Sequence, residues 1–118
     1  MIYLVRHGEA AASWGSHPDP GLSETGKAQS ETAAKALMRE QITQAITSPM
    51  ARCQETASSF AKASGLTLAV EPAVTEIPTP PDVTDRVPWL RALMSGQWND
   101  APNLVQDWRG KLIDTLTM

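Results

Sequence analysis

The sequence is short of several residue types, and each shortage excludes a class of protein. Cys53 is the only cysteine among 118 residues, which excludes a disulfide framework and a metal site built from cysteines. Basic residues are not in surplus, because 10 lysines and arginines stand against 13 acidic residues, for a net charge of -3. This balance argues against nucleic acid or an anionic membrane as the main partner. An anionic substrate remains compatible with it, since a few arginines in one cleft outweigh a weakly negative surface.

Long apolar runs are missing as well. The first run, residues 1–5, has no basic residue before it and ends at Arg6, so we expect neither a signal peptide nor a membrane-spanning helix. A hydrophobic fraction of 42% with 19% charged residues is typical of a globular chain with a core. We therefore expect one soluble, cytoplasmic domain over residues 1–118.

Strands and helices are predicted to alternate along the chain. Apolar, β-branched runs predict the strands, and helical periodicity with caps predicts the helices. The second helix is expected to have Ser48 as its N-cap, Pro49 as its first residue and Gly65 as its left-handed stop. The predicted strands cover residues 2–5, 45–47 and 66–70, and the predicted helices cover residues 23–40, 49–64, 87–94 and 104–116.

This order predicts an α/β fold, a three-layer sandwich with a mainly parallel sheet. In such sheets ligands bind at the carboxyl ends of the strands. Arg6 and His7 follow the first strand, Arg52 follows the second, and Glu76 follows the third. We therefore expect these four residues to meet at one edge of the sheet.

His7 is the first candidate for chemistry. A neutral imidazole attacks phosphorus when one ring nitrogen is free and the other N–H is anchored. Gly8 lets the loop backbone come close enough to offer a carbonyl to that N–H. A structural histidine beside a turn is the alternative, but the flanking Arg6 and Gly8 favour the nucleophile.

Arg6 and Arg52 are candidates for binding phosphate, because the guanidinium fork matches two phosphoryl oxygens. Arg52 also lies in the first turn of its predicted helix, where free N–H groups and the helix dipole favour an anion. The alternatives are a solvated first-turn arginine at position 52 and a structural ion pair between Arg6 and Glu9.

Glu76 lies in a proline-rich loop after the third strand. If its carboxyl is partly buried, it can be held protonated and donate to a leaving-group oxygen. A solvated loop glutamate is the alternative. Trp14 is expected to overhang the site and contact an apolar part of a substrate, whereas His17 is interpreted as an ordinary loop residue.

Four ordered segments together resemble the histidine phosphatase superfamily, also called the phosphoglycerate mutase-like family. Residues 4–9 read LVRHGE, residues 19–29 read DPGLSETGKAQ, and residues 48–57 read SPMARCQETA. Glu76 stands where the family has its acidic loop residue. The spacing of all four segments makes the resemblance specific out to residue 76.

The resemblance implies a role for each matching residue. His7 would be the phosphorylated nucleophile, Arg6 and Arg52 would bind the phosphoryl oxygens, and Glu76 would be the proton donor. Ser13 stands about where mutases carry an asparagine that contacts the phosphate, and it is grouped with the phosphate-binding residues. No metal and no cofactor are implied. The implied substrate is a small phosphorylated metabolite or a phosphoprotein.

One family feature is missing from the sequence. The family has a second histidine at the end of a late strand, and here no histidine follows His17. We expect the chain to be a fragment, the alternatives being completion by a second copy or another chain and a rearranged minimal fold. Whether the chain forms a homo-oligomer is left open by the sequence. The functional hypotheses are a phosphohydrolase, a non-catalytic phosphate-binding module and, third, a mutase.

Overall fold

The structure, a computed structural model, describes residues 1–12 and 19–117, which fall into two units, Met1–Pro72 and Ala73–Met118. Its α/β class with a parallel sheet is confirmed. No helix in the described part of the chain is long and apolar enough to cross a membrane. The elements are α1 (Glu24–Leu37), β1 (Ala45–Thr47), α2 (Ala51–Ser64), β2 (Leu68–Val70), α3 (Arg86–Ser95), a 3-10 turn (Trp98–Asp100) and α4 (Asn103–Leu116).

Helix α1 begins where the sequence supplies a cap. Ser23 keeps an extended backbone, and its hydroxyl accepts a hydrogen bond from Gly26 N at 3.0 Å, which satisfies one of the free N–H groups of the first turn. Gly26, Ser30 and Ala34 are buried at intervals of four residues, so they form one face of the helix. The prediction of a helix in this segment is confirmed.

Strands β1 and β2 are parallel neighbours, and α2 is the crossover that connects them. Their register pairs Ala45 with Leu68 and Thr47 with Val70. Gly65 ends α2 in the left-handed conformation with φ 77°, as predicted.

The predicted start of α2 is wrong by two residues. The helix begins at Ala51 with Met50 as its N-cap. The Ser48 hydroxyl accepts from Met50 N at 3.2 Å, so this serine closes a short turn before the helix. A serine followed by proline fits both roles, and the local sequence does not distinguish them.

Small and polar side chains bring α1 close to α2. The hydroxyls of Ser30 and Ser59 share a hydrogen bond of 2.8 Å between the two helices. Leu22, Ala34 and Phe60 are buried in the first unit. The helices that carry the residues around His7 are thus fixed to each other.

The first predicted strand is wrong in this structure. Residues 2–5 do not form a strand, and Ile2 and Leu4 are 59% and 82% exposed. An apolar run becomes a buried strand only when a neighbouring strand pairs with its backbone, and hydropathy does not identify that neighbour. Among the described residues the sheet consists of β1 and β2. The segment is tied to the end of α1 by Tyr3, whose hydroxyl donates to Glu40 Oε2 at 2.9 Å.

The second unit is helical after an irregular, proline-rich start. Its two predicted helices are confirmed as α3 and α4. Val105 is fully buried, and the Trp108 indole N–H donates to Thr75 O at 2.9 Å. Arg109 lies over the ring of Trp98, 5.0 Å from its centroid. These contacts hold α4 against the irregular stretch of its own unit.

Candidate active site

The imidazole of His7 is fixed through both ring nitrogens. Nδ1 lies 2.7 Å from Gly8 O, and Nε2 lies 3.2 Å from Nε of Arg52. A carbonyl only accepts and a guanidinium only donates, so Nδ1 carries the proton and Nε2 presents its lone pair. The anchored Nδ1–H is what a phosphate nucleophile requires, whereas Nε2, expected to be free, is occupied by Arg52.

Arg52 is the second residue of α2 and is only 8% exposed. A guanidinium at that depth needs hydrogen-bonding partners, and the His7 imidazole is one of them. The five N–H donors of the guanidinium allow it to face the imidazole and a phosphoryl oxygen from the same position. The structure therefore brings His7 and Arg52 together, two of the four residues that were expected to meet.

Thr56 connects Arg52 to the loop that carries His7. Its hydroxyl is buried, accepts from Gly8 N at 3.0 Å and donates to Arg52 O at 2.8 Å. One side chain on α2 thus sets the distance between the first turn of the helix and the backbone beside the imidazole.

The N-terminus of α2 is already occupied by a carboxylate. Asp19 Oδ1 accepts from Ala51 N at 2.9 Å. We expected free backbone N–H groups in this turn to assist an incoming anion, and at Ala51 that expectation is wrong. The charge of Asp19 satisfies the amide and complements the helix dipole instead. Sequence reasoning placed Ser48 at the N-cap and missed this contact of Asp19.

The backbone of residues 6–10, hereafter the His7 loop, lies against the first turns of α1. Glu9 N donates to Gln29 Oε1 at 2.9 Å, and Glu9 O accepts from Ser23 N at 2.9 Å. The chains approach so closely that a Cβ on Gly26 would fall on Glu9 O, and one on Gly8 would fall on Gly26 O. Glycine is required at both positions for this contact.

Glu55 on α2 holds residues 21 and 22, which lie beside the end of the His7 loop. Its carboxylate accepts from Leu22 N at 2.9 Å and lies against Gly21, where a Cβ would collide with it. Ala10 and Leu22 form an isolated antiparallel bridge, so the fixed segment supports the end of the His7 loop. Sequence reasoning assigned no role to Gln29, Glu55 or Thr56, although all three lie inside the motif segments quoted above.

A cavity of about 570 Å³ opens beside the His7 loop within the first unit. Arg6 is exposed and lines it together with His7 and Glu9, so a cationic side chain, an anionic side chain and an imidazole share one cavity. The remaining lining residues come from the loop, α1 and α2: Gly8, Ala10, Gln29, Ser30, Ala33 and Thr56.

Glu76 belongs to the second unit. Its side chain is 49% exposed and therefore half-buried. Glu76 Oε2 lies 3.9 Å from Nη2 of Arg86. Ser13, Trp14 and His17 lie outside the described residues. Within the described ranges no cluster of three or more metal-ligating side chains occurs.

Comparison with protein families gives a match over most of the chain. The model of the histidine phosphatase superfamily (branch 1) matches residues 2–81. A probable phosphoglycerate mutase of Photorhabdus laumondii is 39% identical over 81 residues, covering 65% of this chain and 38% of that protein. A probable phosphoglycerate mutase of Yersinia pestis is 38% identical over the same length and the same shares. The chain spans about 38% of the length of these curated relatives.

Solved structures agree with this match. A mycobacterial glucosyl-3-phosphoglycerate phosphatase is 30% identical, with a TM-score of 0.54 over 59% of this chain and 35% of that one. A putative phosphohistidine phosphatase from Agrobacterium tumefaciens is 28% identical, with a TM-score of 0.50 over 57% of this chain and 47% of that one. The phosphate complex of the mycobacterial phosphatase reaches a TM-score of 0.66 over 94% of this chain and 59% of that one, and at 23% identity it shows the fold alone.

Proposed function

The chain belongs to the histidine phosphatase superfamily, and we propose that it is a phosphohydrolase that transfers a phosphoryl group to His7 and then to water. The observation that supports this most directly is the imidazole itself, anchored at Nδ1 by Gly8 O with Nε2 facing Arg52. The ring can keep its orientation, and the Arg52 contact has to leave Nε2 before its lone pair can reach phosphorus. The proposed substrate is a small phosphorylated metabolite or a phosphoprotein.

The first step forms a P–N bond and breaks a P–O bond. His7 Nε2 attacks phosphorus, and the guanidinium of Arg52 exchanges its contact with Nε2 for a phosphoryl oxygen. Arg6 binds a second oxygen, and the two charges stabilise the negative charge that develops in the transition state. Glu76 gives its proton to the departing oxygen, so the leaving group is released as an alcohol or hydroxyl group.

The second step returns the histidine to its starting state. Water attacks the phosphorus of phosphohistidine and passes a proton to Glu76, while the P–N bond breaks and inorganic phosphate is formed. Arg52 then recovers its contact with Nε2. Because this intermediate is a phosphoramidate, it should be labile in acid and stable in base.

Labelling of the protein with a phosphate donor tests the proposal. We expect an acid-labile, base-stable label in the unaltered protein and none in His7→Ala, whose turnover of p-nitrophenyl phosphate should fall to background. His17→Ala is the matched control, since His17 is the only other histidine, and it should keep the label. A label that survives in His7→Ala would exclude the mechanism.

A phosphate-binding module without turnover is the second candidate. In that case phosphate should raise the melting temperature, Arg52→Ala should abolish the rise, and p-nitrophenyl phosphate should stay intact. Measured turnover that depends on His7 would exclude this candidate.

The names of the sequence relatives raise a mutase as the third candidate, since those proteins are called probable phosphoglycerate mutases. The structural relatives above 25% identity favour hydrolysis, since both are named as phosphatases. A mutase needs a phosphorylated primer, whereas a phosphohydrolase releases inorganic phosphate without one. Phosphate release in the absence of any bisphosphorylated compound therefore separates the two.

A further inference from the structure

The polar side chains around the cavity beside the His7 loop differ in how much of their hydrogen-bonding capacity is already used. The Thr56 hydroxyl donates to Arg52 O at 2.8 Å, and the Ser30 hydroxyl donates to Lys27 O at 2.8 Å. Because a hydroxyl donates once, neither has a proton left for a ligand. The other polar side chains that line the cavity are those of Arg6, His7, Glu9 and Gln29.

Gln29 on α1 is oriented by the backbone of the His7 loop. Its Oε1 accepts from Glu9 N at 2.9 Å, so exchanging the two ends of the carboxamide would place a donor against a donor. Its Nε2 makes no hydrogen bond within the described part of the chain. Gln29 thus brings two N–H donors to the wall of the cavity.

Glu9 brings the opposite capacity to the same wall. Its backbone is held at both polar groups, since Glu9 N donates to Gln29 Oε1 and Glu9 O accepts from Ser23 N. Its side chain is exposed, and among residues 1–12 and 19–117 its carboxylate makes no hydrogen bond or ion pair. A carboxylate accepts and does not donate. A donor and an acceptor are therefore placed side by side, and the hydrogen bond at Glu9 N joins them.

A ligand group that both donates and accepts complements this pair. A hydroxyl can donate to the Glu9 carboxylate and accept from the Gln29 carboxamide. A ligand carboxylate would be repelled by Glu9, and an ammonium has no lone pair for Gln29. A methyl group would leave both side chains without a partner. Arg6, which lines the cavity as well, is assigned to the phosphoryl oxygens in the scheme above.

We propose that Glu9 and Gln29 form a hydroxyl-binding subsite beside His7, so that the substrate is a small phosphate monoester with a free hydroxyl near the phosphorylated oxygen. This inference rests on the proposed function, in which the phosphoryl group binds at His7. Glu9 is two residues from His7, so their Cα atoms are at most about 7 Å apart, which a short carbon chain spans. The cavity volume of about 570 Å³ is typical of a site for a small molecule.

A matched series of phosphonates tests the subsite by binding alone, because the C–P bond is not hydrolysed. The four compounds share a three-carbon chain and end in a hydroxyl, a methyl, an ammonium or a carboxylate: 3-hydroxypropylphosphonate, butylphosphonate, 3-aminopropylphosphonate and 4-phosphonobutyrate. We expect calorimetry to give the hydroxyl compound an affinity about tenfold higher than that of the methyl compound. The ammonium and carboxylate compounds should also bind more weakly than the hydroxyl compound.

Gln29→Glu reverses one half of the pair. The new carboxylate keeps an acceptor for Glu9 N but replaces the two donors by a negative charge. The advantage of the hydroxyl over the methyl compound should fall to about threefold or less, and the ammonium compound should become the tightest ligand. Gln44→Glu is the matched control, because Gln44 is exposed and does not line the cavity. It adds the same charge and should leave the order of the four affinities unchanged.

Glu9→Gln reverses the other half. It removes the repulsion of a ligand carboxylate while the Glu9 backbone contacts stay available, so the affinity for 4-phosphonobutyrate should rise about tenfold. Glu31→Gln removes a carboxylate from an exposed position of α1 that does not line the cavity, and it should have no such effect. A rise of the same size in both variants would mean that net charge, and not Glu9, repels the carboxylate, and it would overturn the subsite.

The outcomes separate the subsite from the proposed function. Equal affinities of the hydroxyl and methyl phosphonates, or no binding of either, would overturn the subsite. If 2-hydroxyethyl phosphate and ethyl phosphate are hydrolysed with equal kcat/KM, and hydrolysis is lost in His7→Ala, the subsite fails and the proposed function stands. If the hydroxyl phosphonate binds most tightly while neither ester is hydrolysed, the subsite stands and the proposed function fails.

Discussion

The His7 loop (residues 6–10) and the N-terminal segment (residues 1–5) are adjacent in sequence and are held in opposite ways. In the loop, the Gly8 amide and both polar groups of the Glu9 backbone have partners on α1, on α2 or at the cap of α1. The segment before it is exposed from Met1 to Val5, and its described tie to the rest of the first unit is the hydrogen bond from Tyr3 to Glu40.

The difference shows which part of the sequence positions the nucleophile. Hydropathy marks residues 2–5 as the element that should carry His7, yet the partners of the loop come from Ser23, Gln29 and Thr56. These residues belong to the second and third motif segments. In this structure the imidazole is therefore placed by the two helices. Substitutions that loosen the His7 loop, and others that probe the N-terminal segment, test whether the two regions differ in solution.

The largest effect is expected for Gly26→Ala. The new Cβ would fall on the Glu9 carbonyl, and backbone against backbone has little freedom to adjust. We expect the free energy of unfolding of the first unit to fall by about 3 kcal/mol, measured by urea denaturation. The binding of phosphate should weaken at the same time, because the loop that carries His7 moves.

Gly110→Ala is the matched control for Gly26→Ala. Gly110 also lies inside a helix, α4, and a Cβ there would meet nothing within 4 Å. Alanine is the better helix former, so this change should stabilise the protein by about 0.5–1 kcal/mol. Equal effects at the two glycines would show that the close approach between α1 and the loop does not exist in solution.

The contact of Gly26 also marks a limit of what the sequence predicts. The motif contains the glycine, but periodicity alone indicates only a helix over this stretch. Which backbone approaches Gly26 depends on how residues 6–10 cross α1, a relation between segments more than a dozen positions apart. The same limit applies to Asp19, whose contact with Ala51 spans 32 positions.

What the sequence predicted well is local or follows from topology. The start of α1 near Ser23 and Gly65 as a stop were identified because each depends on neighbouring residues. The meeting of His7 with Arg52 followed from the rule that polar residues after parallel strands share one edge. The premise of the rule was not met for His7, because residues 2–5 are not a strand here, and the pair meets through the His7 loop and the first turn of α2. The prediction of a strand over residues 2–5 was wrong because a buried strand needs a neighbouring strand to pair with, and hydropathy does not identify that neighbour.

A smaller effect is expected for Thr56→Val. The change keeps the shape of the side chain but removes the buried hydroxyl that accepts from Gly8 N and donates to Arg52 O. The Gly8 amide is then left without this acceptor, and the expected cost is about 2 kcal/mol in the free energy of unfolding. Phosphate-dependent stabilisation should fall as well, because the hydroxyl couples the first turn of α2 to the loop.

Thr32→Val separates this coupling from a general effect of threonine in a helix. The Thr32 hydroxyl also donates to the carbonyl four residues before it, Ala28 O at 3.1 Å, but it is exposed. Its replacement should change stability by no more than about 0.5 kcal/mol. If the two variants lost the same stability, the contact with Gly8 would contribute nothing.

The smallest effect concerns the N-terminal segment, through the ionisation of Tyr3. The hydrogen bond to the Glu40 carboxylate raises the pKa of the Tyr3 phenol above its ordinary 10.0, and desolvation and the charge of Glu40 act in the same direction. A raised pKa means that the contact stabilises the folded chain below pH 10 and that this contribution is lost as the pH rises through the raised value. Tyr3 is the only tyrosine, so tyrosinate absorbance reports on it alone.

We expect Glu40→Gln to return the midpoint of the Tyr3 titration toward its ordinary value. Glu24→Gln, which removes a carboxylate paired with Lys27 at the other end of α1, should leave the midpoint where it is. Because Tyr3 lies at the surface, salt should weaken the shift in the unaltered protein. A midpoint that is the same in all three proteins would mean that the segment is not tied to α1 in solution. The contrast with the His7 loop would then be larger than the structure shows.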